Sequence, residues 1–175
     1  MLIPNVQRHP ICMNHSLDIP GVLINAYSVT DYIRLLDDSS KVYAECMKVL
    51  LEHEYINVNV QSICGLTALH YASKAGHTTC ATFLLSYSNT HVNIRTRDGK
   101  TALHYAASTG NAQYMKLLLD AHGNNVNIRD GFGRTPLHHA CLNNHIEDVR
   151  RLCVVEDVNV NSQDEYGDTP LHLAG

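Results

Sequence analysis

Twelve histidines and six cysteines among 175 residues supply many side chains able to ligate metals, relay protons or act as nucleophiles. The cysteines stand at positions 12, 46, 64, 80, 141 and 153 and form no CxxC pair, so neither a zinc knuckle nor a dithiol redox site is spelled. Most lie in apolar runs, such as Cys80 in CATFLL and Cys153 in RLCVV, where a free thiol is expected to behave as a small buried hydrophobe. That usage reads as reduced and intracellular, cytoplasmic or nuclear. His9, Cys12 and His15 offer three metal ligands in the N-terminal segment, with no fourth specified. His138 and His139 are neighbours, so they leave a helix on different sides. HExxH, GxSxG and a Gly-rich phosphate loop are all absent. Nothing in the letters points to an enzyme, and no cofactor is implied.

A strict period decides what most of the histidines do. TALHYA occupies Thr67–Ala72 and Thr101–Ala106, TPLHHA follows at Thr135–Ala140 and TPLHLA at Thr169–Ala174, each copy 34 positions after the last. Glycine recurs in register at Gly65, Gly99, Gly133 and Gly167, and Val-Asn at Val58-Asn59, Val92-Asn93, Val126-Asn127 and Val160-Asn161. His70, His104, His138 and His172 therefore sit on successive units. Packed helices lie roughly 8–10 Å apart, whereas metal ligands converge to about 2 Å from one ion. Such a ladder does not chelate.

Each unit spells its own elements. Threonine opens a short helix by capping an orphan backbone N–H, and Pro136 and Pro170 suit the first helical position, where no N–H is needed. Leu103 with Ala106, and Leu137 with Ala140, make one packing stripe. Gly110 ends its helix in the left-handed conformation, and Asn144 does so one unit later. Tyr114, Leu117 and Leu118 mark a second helix over Gln113–Asp120, and Asp130-Gly131 reads as a tight β-turn. Helices this short do not stand alone in water. Stacked copies bury what one copy cannot, which makes an all-α solenoid of helix-turn-helix units with β-turn fingers.

These letters resemble the ankyrin repeat, whose signature is T-P-L-H-x-A, strongly from Ser62 to Gly175 and weakly before that. The expected organisation is a flexible segment at 1–27, a degenerate capping repeat at 28–61, repeats at 62–95, 96–129 and 130–163, and a partial repeat at 164–175. In the capping repeat Ser28 and Asp31 have capping-box spacing, and Tyr32, Leu35 and Leu36 form a helical stripe. The chain stops one helix into its last unit, so Val149 and Leu152 are expected to be half covered and the natural protein to continue.

The resemblance implies a non-catalytic protein-interaction module, a scaffold or adaptor gripping partners through the turn tips and the exposed side of the first helices. The alternative is the regulatory or targeting arm of a longer enzyme, channel or ubiquitin-ligase subunit. The resemblance also assigns the ladder histidines to hydrogen bonds between repeats, and marks Asn59, Asn93, Asn127 and Asn161 as substrates of an intracellular asparaginyl hydroxylase.

At the finger positions that the repeat leaves free, Arg95, Arg97, Lys100, Arg129 and Arg134 are expected to cluster on the middle two repeats, beside Phe132 and Tyr166. Aromatic and arginine side chains together are the composition of a binding hot spot, and would suit an acidic, partly apolar protein segment. The competing reading has Asp98 and Asp130 neutralise the arginines while Phe132 folds over its own turn. A net charge of −4 gives no general attraction to nucleic acid. No apolar run approaches the ~20 residues of a membrane span, and the N-terminus lacks the unbroken apolar stretch of a signal peptide. A monomer is expected.

Overall fold

The computed structural model describes residues 56–174. Segment 1–27, with His9, Cys12 and His15, and nearly all of the capping repeat at 28–61 lie outside the described residues. Three helix pairs follow one another: α1 (Ala68–Ala75) and α2 (Thr78–Ser86), α3 (Ala102–Thr109) and α4 (Ala112–Leu119), α5 (Pro136–Leu142) and α6 (Ile146–Cys153). A 3-10 turn at His172–Ala174 closes the described chain. The first helices stack as α1 on α3 on α5, the second helices as α2 on α4 on α6, and the two helices of each pair pack together.

The capping threonines form capping boxes with histidine. Thr67, Thr101 and Thr135 are N-caps in extended backbone, and the third helical residue of each unit is a histidine where glutamate is usual. The ring Nδ1 accepts the threonine backbone N–H at 3.1, 3.0 and 3.1 Å. Gly110 caps α3 at φ 72°, and Asn144 takes φ 61° after α5. The helical stripe is buried as the spacing demands, with Leu103 1%, Ala106 0%, Leu137 3% and Ala140 0% exposed. In α4 the buried set is Tyr114, Met115 and Leu118, so Met115 takes the place expected of the half-buried Leu117.

The fingers are closed turns joined edge to edge. Thr96 N–H donates to Lys100 O and Asp130 N–H to Arg134 O, each at 2.8 Å. Neighbouring tips are linked by Arg97 N–H to Cys64 O, Gly131 N–H to Asp98 O and Glu165 N–H to Phe132 O, at 3.1, 2.7 and 3.0 Å. Glycine is obligatory at Gly99: φ is +74°, and a Cβ would lie 2.6 Å from Arg95 Nη2 and 2.9 Å from Gly131 N.

Two expectations are corrected. Leu152 is fully buried, because α6 packs on both α4 and α5. Cys80 is buried as foreseen, but Cys153, the last residue of α6, is exposed. Among the described residues no helix is long and apolar enough to cross a membrane.

Candidate partner-binding surface

Three hydrogen-bond ladders run along the stack, and they decide which polar side chains are free. The first is made by histidine. Because Nδ1 accepts from threonine, the proton sits on Nε2, which donates to a carbonyl of the next repeat: His70 to Lys100 at 3.2 Å, His104 to Arg134 at 3.0 Å and His138 to Asp168 at 3.1 Å. Burial pulls the pKa of His70 and of His104 down to about 4, and that of His138 down as well. Neutral, buried and doubly bonded, these rings are structural. His172 shares the threonine contact, but it is exposed.

The second ladder is asparagine. Asn59, Asn93 and Asn127 each clamp the next inter-repeat loop with both ends of the amide. Asn93 Nδ2 donates to Gly123 O at 2.6 Å, while its Oδ1 accepts Asn125 N–H at 3.0 Å. Asn59 holds Asn89 and His91 in the same way, and Asn127 holds Asp157 and Asn159. Asn161 is exposed, and its side-chain amide makes no such clamp among the described residues.

The third ladder takes up two of the finger arginines. Arg95 Nε donates to Gly99 O at 3.1 Å and its Nη2 to Arg129 O at 2.9 Å. Arg129 repeats the pattern on Gly133 O and Gln163 O at 2.9 and 2.6 Å. Gln61, at the equivalent position, does the same with Gly65 and Arg95. Arg95 and Arg129 thus lie, exposed, in the seams between fingers. Arg134 has another partner: its Nε lies 3.0 Å from Asp164 Oδ2 on the next finger, and the Asp164 side chain is completely buried.

The acid of the third finger is used differently from the neutralising role weighed for it. Asp130 Oδ1 accepts Phe132 and Arg134 N–H, both at 2.9 Å, and Oδ2 lies 2.8 Å from His139 Nε2. Burial alone would raise its carboxyl pKa, but the His139 contact and the two N–H donors overcome that and hold it at about 2. Ser108 Oγ lies 3.3 Å from His139 Nδ1, so serine, histidine and aspartate stand in line. This line has the residue types of a hydrolytic triad without its workings. The Ser108 hydroxyl donates to His104 O at 2.9 Å, within its own helix. The histidine and aspartate are 7% and 5% exposed. The line ties a finger to α3 and α5. Among the described residues no three His, Cys, Asp or Glu side chains gather as a metal set.

What remains accessible on the fingers is a short list. Arg97 is exposed, with no bonded side-chain partner among the described residues. Lys100 is half-buried, its Nζ 5.9 Å from the centroid of the Tyr105 ring. Phe132 is 51% exposed, Tyr166 72% and Ile63 83%. Phe132 and Tyr166 occupy the same position on consecutive fingers, whose tips are joined by the Glu165–Phe132 backbone bond. The seam arginines were not separable from Arg97 by residue type; the only earlier signal was the 34-residue register that aligns Gln61, Arg95, Arg129 and Gln163.

Family models agree with this architecture. One described as ankyrin repeats (3 copies) matches residues 39–130, and one described as ankyrin repeats (many copies) matches residues 120–174. No curated protein matches the chain.

Proposed function

The chain belongs to the ankyrin-repeat family, whose repeats mediate protein–protein interaction, and on that footing we propose that it works as a non-catalytic scaffold or adaptor. The partner binds the finger row, with Arg97, Lys100, Phe132 and Tyr166 as the contact residues. One observation carries this reading: two large aromatic side chains stand more than half exposed at the same position on adjacent fingers, whose tips are joined by a backbone hydrogen bond. A fixed aromatic on a rigid element loses little entropy on binding, which is why such residues dominate hot spots. The proposed partner is an acidic, partly apolar protein segment, met by Arg97 and Lys100 at one end. Arg95, Arg129 and Arg134 contribute by holding the fingers in register and by their field.

The test compares proteins crosslinked to the intact chain with those crosslinked to two variants. The finger variant carries Arg97→Glu, Phe132→Ala and Tyr166→Ala; the control carries Glu147→Ala and Arg150→Ala on the exposed side of α6. A partner lost with the finger variant and kept with the control supports the reading. A partner kept by the finger variant and lost with the control moves the site to the second helices.

A further inference from the structure

The finger row carries opposite charges at its two ends. On the second finger stand Arg97 and Lys100; two repeat periods later the same two positions hold Glu165, exposed, and Asp168, half-buried. Asp98 on the second finger is exposed too, leaving two cations against one anion there. The fourth finger has two anions and no cation among its tip residues Glu165, Tyr166 and Asp168. Between them the Arg134–Asp164 pair is closed on itself, and the third finger presents Phe132 beside the exposed Arg129, which among the described residues is bonded only to main-chain carbonyls. Along the row the tips therefore read positive, aromatic, negative, with Arg95 and Arg129 adding positive charge in the seams at the second and third fingers.

We propose that the finger row receives an extended, dipolar protein segment, with acidic residues on the second finger, apolar side chains against Phe132 and Tyr166, and basic residues on the fourth. This rests on the reading of the fingers as the partner surface and adds the polarity of the partner. Spacing follows from geometry. Two repeats at roughly 8–10 Å each separate the charged ends by about 20 Å. An extended chain rises about 3.3 Å per residue, so the acidic and basic residues of the segment stand roughly six positions apart. A uniformly acidic segment would bring like charges onto Glu165 and Asp168, and reversed charges at an interface reject wrong partners more than they strengthen right ones.

The experiment measures fluorescence anisotropy of the full chain with labelled peptide pools of about twelve residues. Apolar positions are randomised over Leu, Ile, Val, Phe and Met. The pools are acid-apolar-base, base-apolar-acid, acid-apolar without base, and a charge-scrambled control; both orders are needed because the charges do not set chain direction. A second protein, Arg97→Glu/Lys100→Glu/Glu165→Lys/Asp168→Lys, inverts the row, and its fold is checked by melting. The native chain is expected to prefer one dipolar order over the scrambled pool by roughly tenfold, the effect of two exposed charge pairs, and the inverted chain to prefer the other order. If the base-free acidic pool binds the native chain as tightly as the dipolar pool, and Glu165→Lys/Asp168→Lys changes nothing, the polarity is wrong while the finger reading stands. If no pool exceeds the scrambled control, or binding ignores all four substitutions, both fall.

Discussion

The Nε2–H of His104 donates to the main-chain carbonyl of Arg134, 3.0 Å away on the next repeat, so a side chain of one unit completes the backbone of its neighbour. The other nitrogen is what needs a neutral ring: Nδ1 must stay unprotonated to accept Thr101 N–H, so protonation would break the cap that positions the inter-repeat donor.

Stability should accordingly fall with acid. Burial places His70 and His104 at about 4, against about 6.5 in the unfolded chain. Between those values the unfolded state binds more protons, so stability is complete above about pH 6.5 and is lost as pH falls towards 4. Each of the two contributes a loss of about 2 kcal/mol between pH 7 and pH 5. Urea midpoints at the two pH values measure it, and His104→Gln should flatten the dependence. Equal midpoints for the native chain would show that these rings titrate normally.

Leu103 lies between stacked first helices and is 1% exposed. Leu103→Ala should cost about 2–5 kcal/mol, the range for truncating a buried leucine. Leu171→Ala, at a side chain 82% exposed, should change stability by less than about 0.5 kcal/mol. Chemical denaturation of the two variants side by side checks the burial directly; similar losses would mean that the stripe is not the core.

Asp148 works against the fold. It is 1% exposed on α6, and neither carboxylate oxygen has a hydrogen-bond partner among the described residues. Burial raises its pKa accordingly. Burying an unpaired polar group costs roughly 1–3 kcal/mol, against about 0.3–1 kcal/mol returned by an acid in the first helical turn. Asp148→Ala should therefore stabilise the chain by about 1 kcal/mol at pH 7. Because the folded pKa is raised, the penalty is absent below the unfolded value and grows as pH rises through the folded one. The gain should thus shrink in acid, and a variant less stable than the native chain at pH 7 would contradict the account.

The asparagine ladder makes the inter-repeat loops a stability element. Asn93→Ala removes two hydrogen bonds to the next loop and should cost about 1–3 kcal/mol. Urea denaturation of this variant beside the native chain measures the loss, and an unchanged midpoint would mean that the clamp contributes nothing.

The fold was legible because its determinants are local and repeated. Threonine, histidine and glycine at fixed offsets specify a cap, an inter-repeat bond and a left-handed turn in every copy, and a period of 34 can be read without coordinates. The finger surface was legible only in part. Arg95, Arg97, Arg129 and Arg134 are alike as letters, yet two bind carbonyls in the seams, one is paired with Asp164 and one is exposed without a bonded side-chain partner among the described residues. Asp130 reads as a counter-ion for arginine, but it binds His139 and its own turn.

By itself, then, the amino-acid order determined the solenoid, its helix boundaries and its capping chemistry, since those depend on residues within one unit and on their recurrence. Only the tertiary structure decided which charges remain available to a partner. The seam arginines bind main-chain carbonyls up to 34 residues away, and a carbonyl is present at every residue whatever its side chain. No side-chain pattern announces such a bond until stacking brings the two groups together.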